Sequence, residues 1–253
     1  YPQYLYYSPI KQVHLHAVEI QQISKYHQPK TRLKQLMEVE ELDNVEADLV
    51  KLCHLFKSEG FNPDEIGVTG SILIAAQNQR SDIDLVFYTR EKFNQARKIA
   101  QQLINQGKCS ALSDDAWLDS YDRRACELSY SEYIWHEKRK FNKALINQRK
   151  FDLSFVIENP QSSALTQYKK IKSVVFKAQV SDDTSGFDYP AQFLIDHQSI
   201  HSIVCYTATY TGQAQTGEWV EVSGQLEQSS DGVQRVVVGS SREAIGEYIK
   251  VVT

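Results

Sequence analysis

Asp82 and Asp84 stand two residues apart in Asp82-Ile83-Asp84-Leu85-Val86-Phe87-Tyr88, a run with the alternation of a strand. A period of two puts both acids on one face and Ile83, Leu85 and Phe87 on the other, where they can anchor the strand in a core. The carboxylates are then roughly 7 Å apart along the backbone, two strand rises, and their oxygens can converge on one hard cation. Two close carboxylates repel each other, and a buried unpaired one is costly. A divalent ion resolves both problems, and Mg²⁺ favours one or two carboxylates plus phosphate oxygens. Asp152 repeats the pattern, facing away from Phe151, Leu153 and Phe155. If its strand lies beside the 82–88 strand, three acids gather as in a two-metal phosphoryl- or nucleotidyl-transfer centre. One ion would activate the attacking oxygen; the other would hold the triphosphate and the leaving group.

Gly70-Ser71 supplies the other half. Glycine at a strand-to-helix turn lets the backbone approach a ligand. The Ser71 hydroxyl and the amides after it can donate to a terminal phosphate. Alone, a Gly-Ser pair is a plain turn, and an Asp-x-Asp strand is a solvated face or a calcium loop. The signal lies in the order: Gly70-Ser71, ten residues, Asp82-x-Asp84, then a separate Asp152.

That order resembles the signature of the DNA polymerase β-like nucleotidyltransferase superfamily. More narrowly, residues 65–157 with an appended β domain resemble an uncharacterised archaeal-type group of predicted nucleotidyltransferases. The stretch Trp135-His136-Glu137-Lys138-Arg139-Lys140-Phe141-Asn142-Lys143 leading to Phe151-Asp152 is similar to theirs. The resemblance implies a short mixed sheet with helices on one side and transfer of NMP from an NTP with Mg²⁺, Mn²⁺ being the alternative ion. It implies Asp82 and Asp84 as metal ligands, Asp152 as the third carboxylate and activator of an acceptor hydroxyl, and Gly70 and Ser71 at the triphosphate. It leaves the acceptor open among RNA, protein and small molecules. The stretch Ile72 to Arg80 departs from the pattern, which often has more glycine and a basic residue nearer Ser71; Arg80 either fills that role or points to solvent.

The elements that must position these residues follow from periodicity. Asp43 with Glu46 three residues later reads as a capping box, and Val45, Leu49, Leu52, Cys53 and Phe56 recur at helical spacing up to Gly60. Glu65–Thr69 reads as a short strand, Lys92 to Gln106 as an amphipathic helix closed by Gly107, and 115–147 as mostly helical. On such a helix His136, Arg139, Lys140 and Lys143 share one face by i, i+3, i+4, i+7 spacing. That face could hold NTP phosphates, or be solvated and balanced by Glu132 and Glu137. Ser113-Asp114-Asp115 reads first as a helix cap. Trp117, Tyr121, Tyr130, Tyr133 and Trp135 suit a core, with base stacking as the minority role.

Glu158-Asn159-Pro160-Gln161-Ser162-Ser163 is a polar break. It divides a catalytic domain, 43–160, from a second domain, 164–253, with 1–42 as an N-terminal extension. Beyond the break, expected strands Val174–Val180, Ala191–Ile195, Ile203–Tyr210, Glu218–Leu226 and Gln234–Val238 alternate with turns. They suggest a small antiparallel β-barrel, with an OB-like barrel as one form it could take. The fold class expected is therefore α+β, a nucleotidyltransferase domain followed by that barrel. Arg235 or Arg242 could touch nucleic acid there, but few Lys and Arg lie beyond residue 180.

Composition sets the outer bounds. With 253 residues, 42% hydrophobic and 24% charged, the chain can build a sizeable core. No apolar run suggests a membrane span, so no membrane partner is expected. A net charge of −4 argues against broad attraction to polyanions. Cys53, Cys109, Cys126 and Cys205 lack metal spacing and read as reduced thiols. No signal peptide is visible in YPQYLYY, and a cytoplasmic location is expected. The expected activity is a Mg²⁺-dependent nucleotidyltransferase releasing pyrophosphate. The alternative is a catalytically silent nucleotide- or nucleic-acid-binding module on the same fold.

Overall fold

The fold is seen in a computed structural model, which describes residues 1–8, 13–124, 126–157, 166–241 and 244–252. The polar break at 158–163 and Arg242 lie outside the described residues. In chain order the elements are Leu5–Ser8 (β1), Val13–His16 (β2), Pro29–Glu38 (α1), Asn44–Ser58 (α2), Ile66–Val68 (β3) and Gly70–Leu73 (α3). Ile83–Phe87 (β4), Arg90–Asn105 (α4), Asp114–Arg124 (α5), Tyr130–Lys138 (α6), Lys143–Ile146 (β5) and Arg149–Phe155 (β6) follow. The rest is all strand: Tyr168–Asp182 (β7), Ala191–Asp196 (β8), Ile200–Cys205 (β9), Trp219–Ser229 (β10), Gln234–Val238 (β11) and Tyr248–Val252 (β12). The fold is thus mixed α/β, with six α-helices and several sheets among the described residues.

Two compact units emerge. One gathers His27–Arg123 with Glu137–Asn159; the other gathers Tyr1–Tyr26, Arg124–His136 and Pro160–Thr253.

The first unit is built on a four-stranded sheet, β3-β4-β6-β5, in which only β4 and β6 run parallel. Alternation decides its faces. Ile83, Leu85 and Phe87 of β4 and Phe151, Leu153 and Phe155 of β6 are buried, and α4 packs on both strands through Phe93, Ala96, Ile99, Ala100 and Leu103. Edge-on and tilted ring contacts run from Phe56 through Phe61, Phe87 and Phe93 to Phe155. Each such side chain contributes about 1.5–3 kcal/mol by leaving water. The capping box predicted for α2 is formed: Asp43 accepts from Val45 and Glu46, and Glu46 accepts from the Asp43 amide. Its far end closes as Gly60 turns left-handed at φ +84° while the Gly60 and Phe61 amides bond back to Lys57 and Phe56.

The helical reading of 115–147 holds for Asp114–Arg124 and Tyr130–Lys138 and is corrected beyond them. Helix α6 ends at Lys138, and Lys143–Ile146 is an edge strand paired antiparallel with β6. Phe141 at φ +50° breaks the helical path, and Asn147 and Gln148, at +48° and +68°, make the two-residue turn that joins β5 to β6. The face expected from i, i+3, i+4, i+7 spacing therefore does not exist.

In the second unit five strands close into a ring, β7-β8-β9-β11-β10 and back to β7, with β12 added outside on β10. The expected antiparallel pattern has one exception, since β9 and β11 run parallel. Strand β7 begins earlier than the apolar run suggests, and β9 ends at Cys205, with Ala208–Tyr210 a single 3₁₀ turn. Ala178, Val180, Ala191, Phe193, Ile203, Val220, Val222, Val236 and Val238 are buried in the ring unit. Among the described residues no helix is long and apolar enough to cross a membrane.

Candidate active site

Asp84 and Asp152 are direct register partners on the parallel strands β4 and β6. Alternation turns both carboxylates away from the phenylalanine core, side by side on the opposite face. Asp82 lies one residue before β4, in a loop tied down by Arg149 of β6. The Arg149 guanidinium bonds Asp48 of α2 at 2.8 Å and the carbonyls of Gln79 and Ser81 at 3.0 and 2.8 Å. The loop is further folded on itself, with the Asn78 amide donating to Ser81 Oγ and the Arg80 amide to Asn78 Oδ1.

Gly70 closes in from the other side. The Thr69 amide donates to the Asp84 carbonyl at 2.8 Å, and the chain then turns through Gly70 at φ +63°, where a Cβ would meet Asp84 Oδ2 at 2.2 Å. Only glycine satisfies both the dihedral and the approach. Ser71 is half-buried in α3, a single turn and too short for the aligned dipoles of a full helix.

The electrostatics of this corner centre on Lys150, two residues before Asp152 on β6. Its Nζ lies 3.2 Å from Asp82 Oδ2 and 3.1 Å from Asp152 Oδ2. Burial pushes the Asp84 carboxyl up, Asp152 and Asp82 push it further, and Lys150 opposes them. Burial would lower Lys150, but Asp152 and Asp82 outweigh it and hold the ammonium above its ordinary value. Asp152 Oδ1 is buried with no hydrogen-bond partner. Among the described residues no three metal-ligating side chains are gathered as a cage. The donor chemistry still fits a hard divalent cation. The three side chains offer carboxylate oxygens only, one of them lacks a partner, and an ammonium already stands between two of the acids.

Of the other predicted residues, Arg80 is exposed in the 78–81 turn and Arg139 follows the end of α6. His136 belongs to the ring unit and is buried. Its Nε2 accepts from the Val251 amide at 3.0 Å, and its Nδ1 lies 2.7 Å from the Glu132 carbonyl. Acceptance at Nε2 puts the ring proton on Nδ1, so both nitrogens are engaged in fastening β12 to α6. Lys140 is buried against Glu137, which also pairs with Lys143. Burial alone would raise the Glu137 carboxyl, but the two ammoniums win and hold it well below the ordinary range. Lys143 is the register partner of Asp152, so the row across the sheet reads Asp84, Asp152, Lys143. Trp117 and Tyr133 are buried as core, and Ser113 caps α5 by accepting from Ala116.

Sequence reasoning gave no role to Lys150 or Arg149 and took Glu137 only as an acid balancing the basic face. The signal for Lys150 was its spacing from Asp152: two residues apart on a strand share a face.

No protein-family profile matches the chain, and no solved structure matches it. An uncharacterized protein of Methanocaldococcus jannaschii is 33% identical over 274 residues, an alignment that covers 99% of this chain and 78% of that protein. At that identity and coverage, the chain belongs to the same family as this archaeal protein.

Proposed function

We propose that this chain is a Mg²⁺-dependent nucleotidyltransferase of the DNA polymerase β-like kind, moving NMP from an NTP to an acceptor and releasing pyrophosphate. The observation that carries the proposal is the lateral pairing of Asp84 with Asp152, with Gly70 packed against Asp84 and Asp82 beside them. Asp82, Asp84 and Asp152 would hold the divalent ions, which supply charge stabilisation at the α-phosphate and at the leaving group when bound. The Gly70-Ser71 turn lets the triphosphate approach the backbone, and the Ser71 hydroxyl donates to it. The acceptor oxygen forms a bond to the α-phosphorus while the bond to the bridging oxygen breaks. Asp152 takes the acceptor's proton, and pyrophosphate carries away the electron pair. Most of the acceleration is then positioning and charge stabilisation.

The ring unit is read as an OB-like barrel that orders the acceptor. Five strands in the order β7-β8-β9-β11-β10, closing on β7, suit that fold. The test is Mg²⁺-dependent pyrophosphate release with RNA, protein and small-molecule acceptors. Turnover that survives in Asp82→Asn/Asp84→Asn would sink the metal assignment.

A second reading, a nucleotide- or nucleic-acid-binding module without turnover, is favoured by the ammonium of Lys150 between Asp82 and Asp152. Calorimetry separates the two. NTP binding that needs Mg²⁺ and vanishes in Asp84→Asn belongs to the transferase; metal-independent RNA binding belongs to the module.

A further inference from the structure

Resting on the transferase reading, we infer that Lys150 is a displaceable internal cation: it occupies the place between Asp82 and Asp152 that a divalent ion must take, so metal loading and release of Lys150 are one equilibrium. The geometry is competitive. The ammonium is 3.2 and 3.1 Å from one oxygen of each acid, the long end of the range for charged hydrogen bonds. A Mg²⁺ ion needs oxygens at roughly 2.0–2.1 Å and tolerates little departure from octahedral geometry. Both cations cannot share the point between the same two oxygens, and like charge makes it costly for the ammonium to stay beside the ion.

The protein is built to let Lys150 go. Its side chain carries a compact charge on a flexible four-carbon stem with three rotatable donors. The exit is open, since the side chain of Asp82 is 40% exposed while that of Lys150 is 18% exposed. Asp82 itself sits in the Arg149-clamped loop, and Asp84 and Asp152 are fixed on paired strands. Adjustment therefore falls to the lysine. Once released, its nearest new anion is the triphosphate of the substrate. The same ammonium that blocks the ion in the empty site then holds the nucleotide in the loaded one. Metal and nucleotide binding are thereby coupled, and by linkage each tightens the other.

Mn²⁺ alone is the probe, followed by calorimetry and by the electron-paramagnetic signal of the free ion. Lys150→Met should bind Mn²⁺ roughly tenfold more tightly than wild type without nucleotide, because the competitor is gone and the acids repel more strongly. Lys150→Arg, which keeps the charge, should show no such gain. A nucleoside triphosphate analogue with a methylene between the α- and β-phosphorus should tighten Mn²⁺ binding in wild type and much less in Lys150→Met. A second measurement needs no variant: acetylation of wild type by acetic anhydride, read by mass spectrometry. Mn²⁺ should raise modification at Lys150 several-fold. Equal or weaker Mn²⁺ binding in Lys150→Met, or Lys150 acetylation unchanged by bound Mn²⁺, overturns the displacement and leaves the transferase reading standing. No Mn²⁺ binding to either protein, with nucleotide or without, overturns both.

Discussion

Arg235 in the ring unit and Lys150 in the mixed-sheet unit both reach carboxylates of the chain around them, but they meet different numbers of them. Arg235 and Glu227 are register partners on β11 and β10, and the guanidinium holds Glu227 Oε2 by two nitrogens at 3.0 and 2.8 Å. The Tyr168 ring covers the guanidinium at 3.6 Å. One base is matched to one acid, and the pair is closed by an aromatic lid. Lys150 is shared between Asp82 and Asp152, with Asp84 beside them and Asp152 Oδ1 unpartnered. The ring pair stitches two strands and asks for nothing more. The sheet corner carries more negative charge than its own cation can neutralise, the condition in which a carboxylate group binds a further cation.

That contrast can be broken in several places. The largest effect is expected at Asp84. Asp84→Asn should cut pyrophosphate release by about 10³-fold, the scale of losing one strong contact to developing charge. The same substitution should raise the melting temperature in metal-free buffer, because burial and two neighbouring acids make the ionised group costly to the fold. Activity and stability moving in opposite directions would mark a functional carboxylate; a joint fall would make Asp84 a structural one.

Next comes Glu137. Glu137→Gln takes the carboxylate away from the buried Lys140 and weakens the hold on Lys143, so urea unfolding should show a loss of about 3–5 kcal/mol. The pH dependence has a definite sign. The carboxyl is depressed in the folded state to about 2. Its stabilisation is fully present above the unfolded value near 4.5 and is lost as pH falls from there towards about 2. The stability gap between wild type and Glu137→Gln should shrink through that window and stay flat from pH 6 to 8. The smallest effect belongs to the ring: Glu227→Gln should cost about 2 kcal/mol and leave Mn²⁺ affinity unchanged. A change in metal binding there would erase the distinction between a stitching pair and a site.

Much of the corner was legible in the residues. Alternation alone put Asp82, Asp84 and Asp152 opposite their apolar neighbours, and the Gly70 turn and the Asp43 cap were written in local chemistry. What escaped was the assignment of partners. A basic run of Lys140, Lys143, Arg149 and Lys150 says nothing about which acid each base meets. That depends on β5 and β6 folding back through Asn147-Gln148, a turn without the glycine that usually announces it. Helical spacing fitted 136–143 just as well until Phe141 broke it. The parallel contact of β9 with β11 was equally hidden, since strand alternation carries no direction.

The Arg149 clamp has a consequence in time. Backbone opening of 79–82 must first strip two carbonyls from the Arg149 guanidinium, which Asp48 on α2 holds in place. Amide exchange in that loop should therefore slow towards the rate of α2 rather than that of a surface turn. Asp82 would then rest on one of the slower-opening segments of its unit, and the quickest moving part of the corner would be a single lysine side chain.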